Sequence, residues 1–395
     1  MRDILALTAM LRKCSTLWAS FFLALAAWGA SPCPPALVAE AHKVGKLRRL
    51  PATWQPRCEL LPEAALPDRL KAKLTSELPL PPQLFLEVLQ RLGFVPPRRD
   101  LFPKLLDFYA SQVLGYYEPS RDTMVVVDKP LPDESDAAGV WLHELAHAAQ
   151  EKRFRLPTKL LAIKDNSDRQ RTFSAIAEGE AMLVMLTLAS PSPPPTESLE
   201  KAAEAIAESS KSLARAADIG DFFVEDLAFP YAQGLRTVLA AFEKGGWPAV
   251  DRLVANPPQC TAALLFASPC HHLTNDALPP VPQGFQELFT DTLGAWAMRF
   301  WLAPLAGEEA AGRLARAWDG DRLRLVRSES DPDTWALCWK LRVQRPEDAA
   351  FAEKLVAAHA PGLLRHFRRN GAPQVAVARD GRTVTLWVDW PPSRP

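Results

Sequence analysis

Two histidines four residues apart with a glutamate between them, His143-Glu144-Leu145-Ala146-His147, form the stretch of this chain whose residue types and spacing best suit chemistry. On a helix, positions i and i+4 lie one turn apart on the same face, so both imidazoles can converge on a single metal ion. Glu144 then stands at the next position round, where its carboxylate reaches a metal-bound water as a general base without itself being a ligand. Two imidazoles leave a four-coordinate catalytic zinc one protein ligand short, its fourth position being kept for water. Downstream, Glu178 and Glu180 offer carboxylates among Ala, Ile, Met and Leu, where an ionised group is expensive to bury unless paired or bound to metal. Residues two apart are about 200° apart round a helix, so only one of these glutamates can face the ion. Gly179 between them can admit a close backbone approach or be neutral. A developing oxyanion needs a further donor. Tyr231 is the first candidate and His271 or His272 the second.

The elements that must position these groups are readable from periodicity and punctuation. Residues 133–153 form a buried helix, with Asp133, Ser135 and Asp136 as acidic or capping residues at its start, basic residues at its end and Pro157 beyond. Two β-rich runs within 113–127, broken at Pro119-Ser120-Arg121-Asp122, predict a hairpin just before it. A second long helix over 166–189 carries Glu178, a Pro/Ser linker follows at 191–196, and an Ala-rich amphipathic helix covers 197–217. Further helices are predicted at 83–92, 101–109, 226–244 (closed by Gly245-Gly246), 283–302 and 307–318. The tail changes character, with strands at 322–327 and 335–343, a helix at 346–359 and a hairpin at 374–388 turning at Asp380-Gly381.

Length and composition bound the rest. The 395 residues, 48% of them apolar, suffice for two modest domains or one large one with appendages, and 37 prolines predict many loops. Forty-six basic residues balance 46 acidic ones, which leaves no electrostatic footprint for nucleic acid. Arg12 and Lys13 precede an apolar run at 17–30 that is short for a bilayer span and suits a signal-peptide core, so export is expected, with a retained membrane anchor as the alternative. Five cysteines remain after signal removal. An oxidising compartment would permit disulfides among them, and Cys260 with Cys270 is the best pair.

His143-Glu144-Leu145-Ala146-His147 followed by Ala177-Glu178-Gly179-Glu180-Ala181 resembles the gluzincin branch of zinc metallopeptidases. Gly115-Tyr116-Tyr117-Glu118-Pro119, Pro230-Tyr231-Ala232-Gln233-Gly234 and Gly245-Gly246-Trp247 look like bacterial secreted or membrane-anchored members. The strong motifs cover about 113–181. The resemblance implies one Zn2+ per chain held by His143, His147 and Glu178, with Glu144 as general base and a protein or peptide as substrate. It also implies an edge hairpin along which an extended substrate adds as a further strand. The expected architecture is α+β and mainly helical: a signal or anchor at 1–31, a Pro-rich spacer at 32–67 that need not be ordered, a zincin-like domain at 68–319 and a small α+β module at 320–395. A membrane partner is expected only if the apolar segment is retained. The competing reading is a degenerate relative whose zinc site only holds the fold of a binding or assembly module.

Overall fold

The computed structural model describes residues 33–130, 134–189 and 196–391. The export segment expected at 1–31, residues 191–195 of the linker expected at 191–196 and the side chains expected to cap the 133–153 helix lie outside the described residues. The architecture is mixed α+β and mainly helical, with two small sheets.

The first sheet has three strands, β1 (Arg57–Pro62), β2 (Gly115–Glu118) and β3 (Thr123–Asp128), in the order β1-β3-β2. β3 is the central strand because Met124, Val125, Val126 and Val127 are all buried and largely β-branched. It pairs parallel to β1 and antiparallel to β2, which leaves β2 on an edge. The second sheet joins β4 (Phe285–Asp291), β5 (Trp318–Ser328), β6 (Trp335–Val343), β7 (Val375–Asp380) and β8 (Thr383–Val388), all antiparallel, in the order β4-β5-β6-β8-β7. The helices are α1 (Pro35–Leu47), α2 (Leu66–Glu77), α3 (Pro82–Arg91), α4 (Leu101–Gln112), α5 (Glu134–Phe154), α6 (Leu156–Leu161), α7 (Ser167–Ala189), α8 (Thr196–Ala216), α9 (Asp221–Ala255), α10 (Thr261–Phe266), α11 (Gly294–Ala306), α12 (Glu308–Ala317) and α13 (Pro346–Leu363).

Three of these helices place the candidate site. α5 buries Trp141, Leu142, Leu145, Ala146, Ala148 and Ala149, which leaves His143, Glu144 and His147 on its half-buried strip. α7 is apolar and long enough to cross a bilayer, but 67% of its most apolar window is buried inside the protein, as befits a core helix. α9 crosses α7 so closely that a Cβ at Gly179 would lie 2.2 Å from the carbonyl carbon of Gly234, and one at Gly234 would lie 1.9 Å from the oxygen of Ala175. Glycine at both positions is therefore a packing requirement. α9 breaks at Gly245 and Gly246, where the sequence predicts an end, and then resumes to Ala255.

Two expectations are corrected. The segment 32–67, expected as a spacer, contributes α1 and β1 to the fold from Cys33 onward. The Cys33–Cys58 disulfide joins the two elements, and β1 pairs along β3 from Arg57↔Thr123 to Pro62↔Asp128. Proline-rich composition hid this because each element is short and takes its stability from partners distant in sequence. Residues 283–302, expected as one helix, divide into β4 and α11, and β4 pairs with β5 over Phe285↔Ser328 to Asp291↔Leu323. The C-terminal sheet thus reaches back well before residue 320. Its junction with α7 is a set of buried carboxylates. Asp291 accepts from Ser167 N (2.7 Å), Asp168 accepts from Thr261 N (3.1 Å), and Asp321 accepts from Leu293 N and Gly294 N (3.0 and 2.9 Å). Burial pushes Asp168 up to about 7 and Asp291 up to about 6.

The expected Cys260–Cys270 disulfide is present, at S–S 2.07 Å, and Cys338 is free and buried. Two disulfides are a hint of an extracytoplasmic protein, because they persist in oxidising compartments.

Candidate functional site

His143 Nε2 lies 3.2 Å from His147 Nε2 and 3.0 Å from Glu178 Oε2, and His147 Nε2 lies 3.6 Å from Glu178 Oε1. Two imidazole nitrogens and one carboxylate, from α5 and α7, thus meet at one point. Ligand atoms about 2.0–2.2 Å from a tetrahedral zinc are separated by about 3.3–3.6 Å, so the donor types fit this ion and the observed spacings lie within a few tenths of an ångström of what it needs. His143, Glu144 and His147 also bring one donor atom each within 4.8 Å of one another. Glu144, however, accepts a hydrogen bond from the Tyr117 backbone N–H at 2.9 Å through Oε2. It stands beside the cluster of three side chains and is anchored to edge strand β2, so Glu178 is the better third donor.

The electrostatics follow from this convergence. Burial opposes the charge on Glu178, but the His147 and His143 imidazoles outweigh it and hold the carboxyl well below the usual range. Burial likewise opposes a cation on His147, and the Glu178 carboxylate more than offsets it, pushing that imidazole up to about 10. A metal ion taking these donors would displace that proton.

The two glutamates of α7 separate as a 200° rotation requires. Glu180 is fully buried and turned away, its Oε1 2.6 Å from Arg48 Nε and its Oε2 accepting from Gln150 Nε2 at 2.5 Å. Gln150 Oε1 lies 3.1 Å from His147 Nδ1, and its Nε2 donates to Ala177 O at 2.7 Å. The amide oxygen thereby fixes His147 with Nδ1 protonated and Nε2 facing the cluster. Arg48 also pairs with Asp251 at 2.8 Å and stacks on Trp247, 4.5 Å from the ring centroid, while Arg153 pairs with the same Asp251. Glu180, Gln150 and Arg48 therefore tie α7, α5, the end of α1 and the resumed part of α9 into one support behind the site.

Tyr231 comes to the site, its ring centroid 6.3 Å from that of His143. The charge of Glu178 first, then burial, pushes its phenol well above 10, so it remains a donor at neutral pH. His271 is bound elsewhere, with Nδ1 2.5 Å from Asp319 Oδ1 on β5, and neither His271 nor His272 lines the cavity beside Glu178. Gln150, Arg48 and the Tyr117 amide were not foreseen. Gln150 had a local signal, an amide three residues beyond His147 amid alanines on the same helix. Arg48 had none.

The Gly179–Gly234 crossing bears directly on this geometry, because it fixes the relation between Glu178 and Tyr231. Gly234→Ala is expected to force α7 and α9 apart and to lower stability by about 1–3 kcal/mol, since overpacking against backbone has no easy relaxation. Gly312→Ala in α12 serves as a control. Its Cβ meets only Arg316 Nη2, at 3.8 Å, so helix propensity should make it neutral or stabilising by up to about 1 kcal/mol. Thermal unfolding of both variants decides; equal midpoints would show that the crossing is not tight.

A family described as a domain of unknown function (DUF8575) matches residues 283–394, the C-terminal sheet with its helices. No curated protein and no solved structure matches the chain.

Proposed function

We propose that this chain is an exported zinc-dependent peptidase of the gluzincin type, with a zincin-like core, that hydrolyses peptide bonds in extracytoplasmic proteins or peptides. The observation that carries this reading is the meeting of two imidazole nitrogens and a carboxylate within 3.0–3.6 Å, with Glu144 beside them and bonded elsewhere. His143, His147 and Glu178 would hold one ion per chain, which when bound polarises the scissile carbonyl and lowers the pKa of a water. Glu144 takes the proton of the attacking water and returns it to the leaving amine. The Tyr117 N–H holds this base beside β2, an edge strand whose remaining outward backbone groups would pair with an extended substrate. Tyr231, kept protonated by the Glu178 charge, donates to the developing oxyanion. The two disulfides support export.

Metal analysis of the purified full chain, together with cleavage of an unfolded protein substrate, tests the proposal. The expected result is close to one zinc per chain and cleavage that a chelator abolishes and added zinc restores. Bound zinc without cleavage of any peptide would favour the structural-site reading. A chain that retains no metal would sink both.

A further inference from the structure

Glu178 and Tyr231 also form part of the wall of a cavity of about 440 Å3. The rest of that wall is mostly apolar: Phe85 from α3, Phe102 from α4, Phe223 and Leu227 from α9, and Phe289 and Leu293 from the C-terminal module. Polar residues line it as well, Glu77, Gln170, Asp226 and Asp291 among them, and three more form a stripe. Arg171, Ser174 and Glu178 line the cavity along one face of α7, and the seven-residue span from the first to the last corresponds to an axial rise of about 10 Å. An extended peptide covers that length in about three residues. The volume falls within the range of about 300–1,000 Å3 typical of ligand sites.

We infer that this cavity takes about three consecutive substrate residues on one side of the scissile bond and selects large apolar side chains, with the module at 283–394 supplying its far wall. The inference rests on the peptidase reading. A polar side chain entering here would lose water and find few partners. Arg171 Nε is already bonded to Asp226 at 2.6 Å, and its guanidinium lies over Trp296, 4.6 Å from the ring centroid. Arg171 Nη1 is buried with no hydrogen-bond partner among the described residues, so Asp226 and the Trp296 ring are what hold this cation in the wall. Ser174, one turn from Glu178, makes room for the substrate at the centre of the stripe. On this view the module shapes specificity: Phe289 meets Phe85 edge-on at 6.3 Å and closes the apolar wall that α3 begins.

Binding and cleavage are measured separately so that the two readings can fail independently. The binding probe is a blocked peptide with three consecutive Leu or Phe residues, compared with a Ser/Gln counterpart, titrated into full-length zinc-loaded Glu144→Gln protein. The apolar peptide is expected to bind at least about tenfold more tightly. Ser174→Trp, which fills the cavity from α7, and Leu293→Ser, which opens the module's wall, should each remove most of that preference while metal content stays unchanged. A preference below about threefold, or one that survives both substitutions in folded protein, would overturn the inference. With the parent chain, cleavage of both peptides at equal rates would refute the cavity's role and leave the peptidase reading standing. Selective binding without cleavage of either would do the reverse.

Discussion

Glu144→Gln protein is expected to retain close to one zinc per chain and to cleave peptide about 10²–10⁴-fold more slowly than the parent. That loss corresponds to about 3–5 kcal/mol in the barrier. The substitution is well placed to isolate the base. Gln has nearly the volume of Glu, and its amide oxygen can still accept the Tyr117 N–H that holds Glu144 in place. His143, His147 and Glu178 keep their donor atoms, so folding and metal content should match the parent. His143→Ala, by contrast, removes one of the three converging side chains and should lose metal and activity together. Zinc content, thermal midpoint and kcat/KM measured on the same preparations separate the cases. If Glu144→Gln cleaves as well as the parent, the base is another group; if neither protein cleaves, the site only holds the fold.

The parts of this site that could be read from the sequence are those set by local spacing. An i, i+4 pair of histidines needs only a helix to converge, and α5 has the apolar positions and terminal residues that make one. The hairpin before it is similarly local, with Asp122 taking the left-handed turn conformation that aspartate tolerates. What could not be read depends on partners far along the chain. Arg48 meets Glu180 across more than a hundred residues, and neither residue type nor spacing announces that pairing. The 32–67 segment has weak periodicity, and its order follows from the Cys33–Cys58 bond and from β3, which lies beyond three intervening helices. Phe285-Gln286-Glu287-Leu288-Phe289 has apolar residues at positions compatible with a helix or a strand, and pairing with β5 decides the matter. Gly179 was ambiguous alone and became interpretable once Gly234 lay against it.

The opposed roles of Glu178 and Glu180 give the second large effect, a double dissociation within one helix. Glu178→Gln removes the carboxylate that faces His143 and His147 at 3.0 and 3.6 Å. A neutral amide is a much poorer zinc ligand, so metal affinity is expected to fall by about 100-fold or more, while the fold, whose core this half-buried side chain does not fill, stays intact. Glu180→Gln should do the opposite. It leaves Arg48, only 2% exposed, without one of its two carboxylate partners, and breaking a buried pair typically costs about 3–5 kcal/mol. Asp251, still 2.8 Å from Arg48, and the amide oxygen of the new Gln should hold the loss toward the lower end. Metal retention in Glu180→Gln should remain within about tenfold of the parent, because only the support of His147 through Gln150 is disturbed. Zinc titration against a competing chelator measures the first quantity, and urea unfolding the second. Strong metal loss in Glu180→Gln with retention in Glu178→Gln would move the third ligand to Glu180. Equal retention in both would remove α7 from the metal site altogether.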